Sequence, residues 1–177
     1  MAIISKIYMD ACCYIDIVQG VQKEPKGSQL ADHCWVCEQF LDAALKGRIQ
    51  LFGSFLMVVE CTHVKKENLR KDATDQVKAA FNNIFISGKI MTPIQPTPKI
   101  INYAREITWT HGLYLDGMDA IHLATAKLHD CGLFITRDRK ILGLSDDIKL
   151  KFGIDVCQGQ EAISWLPAEY RNKGLFI

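Results

Sequence analysis

The chain has 177 residues, of which 49% are hydrophobic and 23% charged, and its formal net charge is +1. This balance is ordinary for a globular protein and excludes the strongly basic class of nucleic-acid-binding protein, so a local patch or a bound ion must meet any anionic ligand. Seven scattered cysteines form no disulfide framework and suit reduced thiols in a cytoplasm. The interrupted start "MAIISKIYMD" is too short for a signal peptide, and no apolar run is long enough to span a membrane. We therefore expect a cytoplasmic protein with no membrane partner.

Short apolar strands alternate with helices along the chain. Strands are predicted over 6–9, 49–52, 90–94, 133–136 and 154–157. Helices are predicted over 11–18, 30–46, 54–64, 67–86, 97–111 and 116–129, with a short helix and a tail in the last twenty residues. Ser54 and Thr97 are predicted N-caps, and Gly132 is predicted to end the helix over 116–129. The alternation predicts an α/β protein whose parallel sheet is covered by helices on both faces.

Four carboxylates occupy positions where the surrounding pattern favours apolar or neutral side chains. Asp10 and Asp138 follow the first and fourth predicted strands. Glu60 and Asp119 lie in the apolar segments "SFLMVVECTHV" and "MDAIHLATA". In parallel sheets, ligands bind off the carboxyl ends of the strands, at the point where the strand order reverses. If the first and fourth strands are neighbours at that point, their carboxylates converge.

Converging carboxylates repel one another unless a cation neutralises them. Oxygen-only ligands suit Mg²⁺ or Mn²⁺ rather than zinc, and such an ion can activate water and stabilise charge during phosphoryl transfer. Each acid also has an ordinary structural explanation, because an Asp after a strand or at a helix start commonly caps a turn or a helix. Glu60 can equally pair with Lys65 or Lys66. Asp116, which precedes Gly117, is predicted to be an N-cap rather than a fifth ligand.

Four segments resemble the motifs of the PIN-domain family, and specifically of its VapC-type toxins from toxin–antitoxin pairs. The segment "IYMDACCYIDIV" is similar to the family's opening strand and acid, and "GSFLMVVECTHV" is similar to its Ser-to-Glu motif. The segment "MDAIHLATA" is similar to its Asp-headed helix of small residues, and "LFITRDRKI" is similar to its strand followed by Thr, any residue and Asp. The order and spacing fit across about residues 6–156.

The resemblance implies a three-layer α/β/α fold with a central parallel sheet of about five strands. It implies one domain over 1–177, with a core over about 6–157 and a C-terminal helix and tail over 158–177. It also implies a Mg²⁺- or Mn²⁺-dependent endoribonuclease that hydrolyses RNA phosphodiester bonds as the toxin of a toxin–antitoxin pair. Its partners would be RNA, a cognate antitoxin and a second copy of the chain. The catalytic set would consist of four metal-binding acids and a threonine that orients water or a ligand, namely Asp10, Glu60, Asp119, Asp138 and Thr136.

Two rival functions remain beside this hypothesis. One is a catalytically inactive PIN-like module that binds RNA or protein, although the presence of all four acids argues against it. The other is an aspartyl-nucleophile phosphatase, which needs a second acid two residues after the first, where this chain has Cys12. Phosphate contacts with RNA are predicted for basic residues that flank the acids, namely Arg137, Arg139, Lys140, Lys65 and Lys66.

Two further features have structural explanations. The segment "HCWVC" places Cys34 and Cys37 inside a predicted helix, and no second CxxC completes a zinc site, so both are predicted to be core residues. His122 follows Asp119 by one helical turn and is predicted to pack in the buried helix. The alternative for His122 is a hydrogen bond to Asp119 or to substrate.

Overall fold

A computed structural model describes residues 4–18, 29–66 and 69–172, except for the side chains of residues 29, 63–66 and 69–72. The strands are β1 Lys6–Met9, β2 Gln50–Ser54, β3 His63–Lys66, β4 Leu69–Asp72, β5 Met91–Ile94, β6 Leu133–Ile135 and β7 Asp155–Cys157. The α-helices are α1 Ala11–Val18, α2 Gln29–Leu45, α3 Met57–Glu60, α4 Asp75–Phe85, α5 Pro98–Trp109, α6 Gly117–Leu128, α7 Arg139–Leu142 and α8 Ser145–Phe152. Two 3₁₀ turns follow, at Glu161–Trp165 and Ala168–Tyr170. Within these ranges, no helix has the length and apolar character needed to cross a bilayer.

Five parallel strands form the central sheet in the order β5-β2-β1-β6-β7. In register, Ile7 of β1 lies beside Leu51 of β2 on one side and Leu133 of β6 on the other. The chain moves outward from β1 in both directions, so the strand order reverses at β1 and the crevice at its carboxyl end is the expected ligand site. The prediction that the strands preceding Asp10 and Asp138 are neighbours is confirmed.

Helices cover both faces of this sheet, which confirms the predicted α/β/α architecture. Successive side chains of a strand point to opposite faces, and Ile7, Tyr8 and Met9 of β1 are all fully buried. On the helical layers, α5 packs on α6, and α1 packs on α2 and α4. Burial on both faces explains why the central strands read as continuous apolar runs rather than as alternating ones.

The predicted helices over 54–64 and 67–86 are wrong in part. Ser54 ends β2 instead of capping a helix, and α3 is a single turn. Strands β3 and β4 form an antiparallel two-stranded ribbon, and α4 begins only after Thr74. The Thr74 hydroxyl caps α4 by accepting a hydrogen bond from the backbone N–H of Val77 at 3.3 Å. A run of charged residues fits an exposed helix face and a surface ribbon equally well, so the local pattern does not separate them.

The helix ends show one confirmed cap and one correction. Thr97 caps α5, because its hydroxyl accepts a hydrogen bond from the backbone N–H of Ile100 at 3.4 Å. Gly132 does not end α6. The chain leaves that helix through Asp130, whose φ of 56° lies in the left-handed region. Gly132 instead allows close packing, since a Cβ at this position would lie 2.9 Å from the ring of Trp165.

Candidate metal centre

Asp10 stands at the carboxyl end of β1 and is held there by three short hydrogen bonds. Its backbone N–H donates to the carbonyl of Ile135 at 2.9 Å, which extends the β1–β6 pairing by one residue. Its Oδ1 accepts from the backbone N–H of Ala11 at 2.7 Å, and its Oδ2 accepts from the hydroxyl of Thr136 at 2.7 Å. Only 8% of Asp10 is exposed. The sheet and one threonine therefore fix this carboxylate in a nearly dry position.

Thr136 also fixes the backbone of the second strand-end acid. Its Oγ1 accepts from the backbone N–H of Asp138 at 2.9 Å. Asp138 Oδ1 in turn caps α7 by accepting from the backbone N–H groups of Lys140 and Ile141, at 2.7 and 3.3 Å. The ordinary explanation of Asp138 as a helix cap is thus correct for one carboxylate oxygen. Within the described residues no donor contacts Oδ2, which leaves that oxygen for a ligand.

Asp119 lies in the first turn of α6 and is half-buried. No hydrogen bond or ion pair links its carboxylate to any other described residue. Burial, followed by the negative charges of Asp138 and Asp10, raises its pKa from 3.8 to about 6. The structure therefore places Asp10, Asp119 and Asp138 close enough for their charges to interact, at the point where the strand order reverses.

Glu60, the last residue of α3, is linked to the other acids through a contact with His122. Glu60 Oε2 lies 3.0 Å from His122 Nε2, and the histidine is 1% exposed. Burial lowers the pKa of His122, but the hydrogen bond to Glu60 and the charges of Asp10, Glu60 and Asp119 outweigh burial and raise it. The prediction of a packed histidine is confirmed. The acid that it contacts is Glu60 and not Asp119, so the alternative bond to Asp119 is wrong.

Cys12 lies next to the acids, although the sequence assigned it no role in the site. Its thiol donates to Asp10 Oδ2 at 3.4 Å and lies 3.7 Å from Thr136 Oγ1. The adjacent thiol of Cys13, together with burial, raises the pKa of Cys12 well above its ordinary value. Cys12 therefore remains a neutral thiol beside the acids, and its position two residues after Asp10 was the available sequence signal.

Asp116 occupies the N-cap position of α6, as predicted, but its carboxylate does not cap the helix. Instead it pairs with Lys140 Nζ at 2.6 Å, and both side chains are largely exposed. Such surface pairs contribute little to stability. Asp116 therefore forms a surface ion pair with α7 and, among the described residues, makes no hydrogen bond to the four predicted metal ligands.

Arg137, one of the predicted RNA contacts, is engaged inside the protein. Its Nη2 donates to Asp16 Oδ1 at 2.8 Å, and its Nε lies 2.6 Å from Asp16 Oδ2 without hydrogen-bond alignment. Asp16 is 6% exposed, and burial raises its pKa to about 6 although the arginine acts in the opposite direction. Arg139 and Lys140 are exposed, whereas the side chains of Lys65 and Lys66 lie outside the described residues.

The predicted core cysteines are buried in α2, and Cys37 belongs to a small cluster with Cys13 and His33. One potential ligand atom from each of these three lies within 4.8 Å of the others. The backbone N–H of Gly159 donates to His33 Nδ1 at 2.9 Å, so the proton of the neutral ring must be on Nε2. Burial lowers the pKa of His33 to about 4, which keeps the ring neutral. A nitrogen that carries a proton has no lone pair for a metal, so we interpret the cluster as core packing. The prediction that Cys34 and Cys37 are core residues is confirmed.

The four acids Asp10, Glu60, Asp119 and Asp138, by contrast, offer only carboxylate oxygens as ligands. Mg²⁺ and Mn²⁺ prefer ligands of this type. The negative charges of Asp138, Asp10 and Asp116 act on Asp119, and the charge of His122 opposes them only in part. The residues predicted to hold such an ion are Asp10, Glu60, Asp119 and Asp138, and this assignment stays a prediction.

Fold and site together define a class of protein, and comparison with known families agrees. A family model described as PIN domain matches residues 35–145, which is more than half of the chain. The chain belongs to the PIN domain family. The matched range contains Glu60, Asp119 and Asp138 and begins after Asp10, which the sheet places beside them.

Two solved structures are similar to this chain at low sequence identity, and the first of them shows the same fold. One is a chain of VapBC2 from Rickettsia felis bound to a DNA fragment from their promoter, with 12% identity and a TM-score of 0.51, covering 86% of this chain and 97% of that chain. Another is a chain of FitAcB from Neisseria gonorrhoeae, with 17% identity and a TM-score of 0.45, and it also covers 86% of this chain and 97% of that chain. A search of curated proteins gives no match.

Proposed function

We propose that the protein is a Mg²⁺- or Mn²⁺-dependent endoribonuclease that hydrolyses RNA phosphodiester bonds. The observation that carries this proposal is the gathering of Asp10, Asp119 and Asp138 at the carboxyl ends of β1 and β6. Burial, followed by the negative charges of Asp138 and Asp10, raises the pKa of Asp119, and the repulsion among these acids opposes folding in the absence of a cation. A protein retains such an arrangement when a bound cation uses it.

The chain's own residues have distinct roles in this proposal. Asp10, Glu60, Asp119 and Asp138 hold the cation, which when bound stabilises negative charge on the phosphate and favours deprotonation of water. Thr136 holds Asp10 and the backbone of Asp138 in a fixed relation, so that the acids need little rearrangement to bind.

RNA is proposed to bind across the same edge of the sheet. Arg139 and Lys140 are exposed beside Asp138 on α7, and Lys65 and Lys66 belong to the ribbon that follows α3. Cations in such positions contact phosphates and make the affinity for RNA decrease with salt. Arg137 is proposed to contribute mainly by pairing with Asp16.

We also propose that the protein is the toxin of a toxin–antitoxin pair, acts in the cytoplasm and forms a homodimer. The resemblance of its four motifs to VapC-type toxins supports this, as does the likeness of fold to a chain of the VapBC2 complex. A basic side chain of the antitoxin, placed among the carboxylates, would inhibit by replacing the cation. All seven cysteines are free thiols, which agrees with a reducing compartment.

The test is an assay of purified protein on single-stranded RNA with Mg²⁺, with Mn²⁺ and with excess chelator. We expect cleavage that requires the metal and is abolished by Asp10→Asn. RNA binding without cleavage under every condition would contradict the proposal and favour the inactive binding module.

A further inference from the structure

A buried chain of hydrogen bonds connects the end of β2 to Glu60. The backbone N–H of Ser54 donates to the hydroxyl oxygen of Tyr8 at 2.8 Å. The same hydroxyl lies 2.6 Å from His122 Nδ1, and His122 Nε2 lies 3.0 Å from Glu60 Oε2. Tyr8 is 0% exposed and His122 is 1% exposed, so water does not compete for these contacts.

The direction of each bond in this chain follows from its first donor. A backbone N–H can only donate, so the oxygen of Tyr8 accepts from Ser54 and has its single proton left to give. A tyrosine hydroxyl keeps its proton at neutral pH, and at 2.6 Å it donates a hydrogen bond to His122 Nδ1. The proton of the histidine is therefore on Nε2, from which it donates to Glu60.

Glu60 needs such an anchor because its own helix holds it weakly. Helix α3 is a single turn of four residues, and its N-cap, Leu56, offers no side-chain hydrogen bond. The histidine, by contrast, lies on the long helix α6. Tyr8 lies in the central strand, with its ring stacked on Phe134 at a centroid distance of 4.8 Å. Two rigid elements thus fix the position of one oxygen of Glu60.

We propose that Tyr8 and His122 are positioning residues for the metal ligand Glu60. His122 holds Oε2, which leaves Oε1 for the cation, and Tyr8 fixes the tautomer and the ring orientation of the histidine. Partners of this kind, one step removed from the metal, commonly matter for affinity almost as much as the ligands. This inference rests on the proposed function, because it assumes that Glu60 binds a cation.

The first test uses the metal-free wild-type protein and needs no activity. Long-range ¹⁵N–¹H NMR spectra at about pH 8 distinguish the two neutral histidine tautomers from the doubly protonated ring. We expect the Nε2–H tautomer for His122. The Nδ1–H tautomer or a doubly protonated ring would overturn the proposed direction of the chain.

The second test measures the dissociation constant for Mn²⁺ in matched variants. We expect His122→Phe to weaken Mn²⁺ binding by about 10- to 100-fold. His122→Gln keeps an N–H that can reach Glu60, so we expect it to recover at least half of that loss on a logarithmic scale. Equal losses in both variants would overturn the role of His122 as a donor.

Matched controls separate positioning from a general effect on folding. Tyr8→Phe is expected to weaken Mn²⁺ binding, whereas Tyr14→Phe is expected to leave it unchanged. Tyr14 is just as buried, but its hydroxyl has no hydrogen-bond partner among the residues that the structure describes. A wild-type protein that binds no Mn²⁺ would overturn the proposed function and this inference with it. Wild-type binding that His122→Phe leaves intact would overturn this inference alone.

Discussion

The hydroxyl of Thr136 donates a 2.7 Å hydrogen bond to Asp10, a residue 126 positions earlier in the chain. The same oxygen accepts from the backbone N–H of Asp138 at 2.9 Å. One fully buried side chain therefore sets the spacing between the acids that follow β1 and β6. This relationship explains why a threonine, with both a donor and an acceptor on one oxygen, lies at the end of β6.

Replacement of Thr136 by Val keeps the shape of the side chain and removes both hydrogen bonds. We expect Thr136→Val to weaken Mn²⁺ binding by about 10- to 100-fold. We expect it to lower the free energy of unfolding by about 1 to 3 kcal/mol, because buried groups of Asp10 and Asp138 lose their partner. Calorimetric Mn²⁺ titration and urea unfolding measure the two effects.

Thr125→Val is the matched control for Thr136→Val. Thr125 is equally buried, but its hydroxyl donates only to the carbonyl of Ile121 within α6. It is expected to change stability slightly and to leave Mn²⁺ affinity unchanged. If the two variants bind Mn²⁺ equally, whether both are weakened or both unaffected, Thr136 has no special role in the site.

Asp119→Asn is expected to stabilise the metal-free protein at neutral pH. The pKa of Asp119 is about 6 in the folded protein, against an ordinary value of 3.8. Because the pKa of Asp119 is higher in the folded protein than in the unfolded one, its contribution to stability is fully present below pH 3.8. That contribution is lost as the pH rises through 6. For a half-exposed group we expect the variant to gain about 1 kcal/mol at neutral pH.

Urea unfolding in chelator at neutral pH and near pH 4 measures this difference between Asp119→Asn and wild type. The gain is expected to be largely lost at the lower pH, where the wild-type carboxyl is protonated in the folded state and about half protonated in the unfolded state. A variant that is less stable than wild type at neutral pH would show that Asp119 has a structural role instead.

Two substitutions separate the two roles of Asp138. Asn can still accept the hydrogen bonds that cap α7, so Asp138→Asn is expected to stay within about 0.5 kcal/mol of the wild-type stability. Asp138→Ala removes the cap and is expected to lose about 1 kcal/mol. Both variants are expected to bind Mn²⁺ much more weakly in calorimetric titration. Unchanged Mn²⁺ affinity in Asp138→Asn would reduce Asp138 to a helix cap.

Arg137→Met is expected to destabilise the fold by about 2 to 3 kcal/mol at neutral pH, because it leaves the buried carboxylate of Asp16 without a counter-ion. Burial has already raised the pKa of Asp16 to about 6, and loss of the arginine raises it further. The destabilisation should therefore shrink as the pH falls towards 4, where Asp16 is protonated in both folded proteins. Urea unfolding across this range provides the test, and a pH-independent loss would contradict it.

The positions of Asp10 and Asp138 could be predicted from the sequence because both depend on local signals. An apolar strand followed by an acid is visible in the chain, and the rule for parallel sheets brings such strand ends together. The contact of His122 with Glu60 could not be predicted in this way. These residues are 62 positions apart, and their contact depends on how α3 and α6 pack against the sheet.

The ribbon of β3 and β4 was missed for a different reason. Its residues alternate little between polar and apolar, and their charges suit any exposed segment. The ribbon forms by pairing between two segments, with Val64 opposite Lys71, and neither segment reveals that pairing by itself. Likewise, the sequence predicted that Arg137 contacts RNA. In the structure it pairs with Asp16, which is 121 positions away and could not be identified as its partner from the sequence.

Calorimetric titration of the metal-free protein with Mn²⁺, in wild type and in Asp10→Asn, tests the central claim most directly. The account predicts saturable binding by the wild type and a loss of affinity of about 100-fold in the variant. A wild-type protein that binds no Mn²⁺, or an Asp10→Asn variant that binds it as tightly as wild type, would contradict the assignment of these acids as a metal centre.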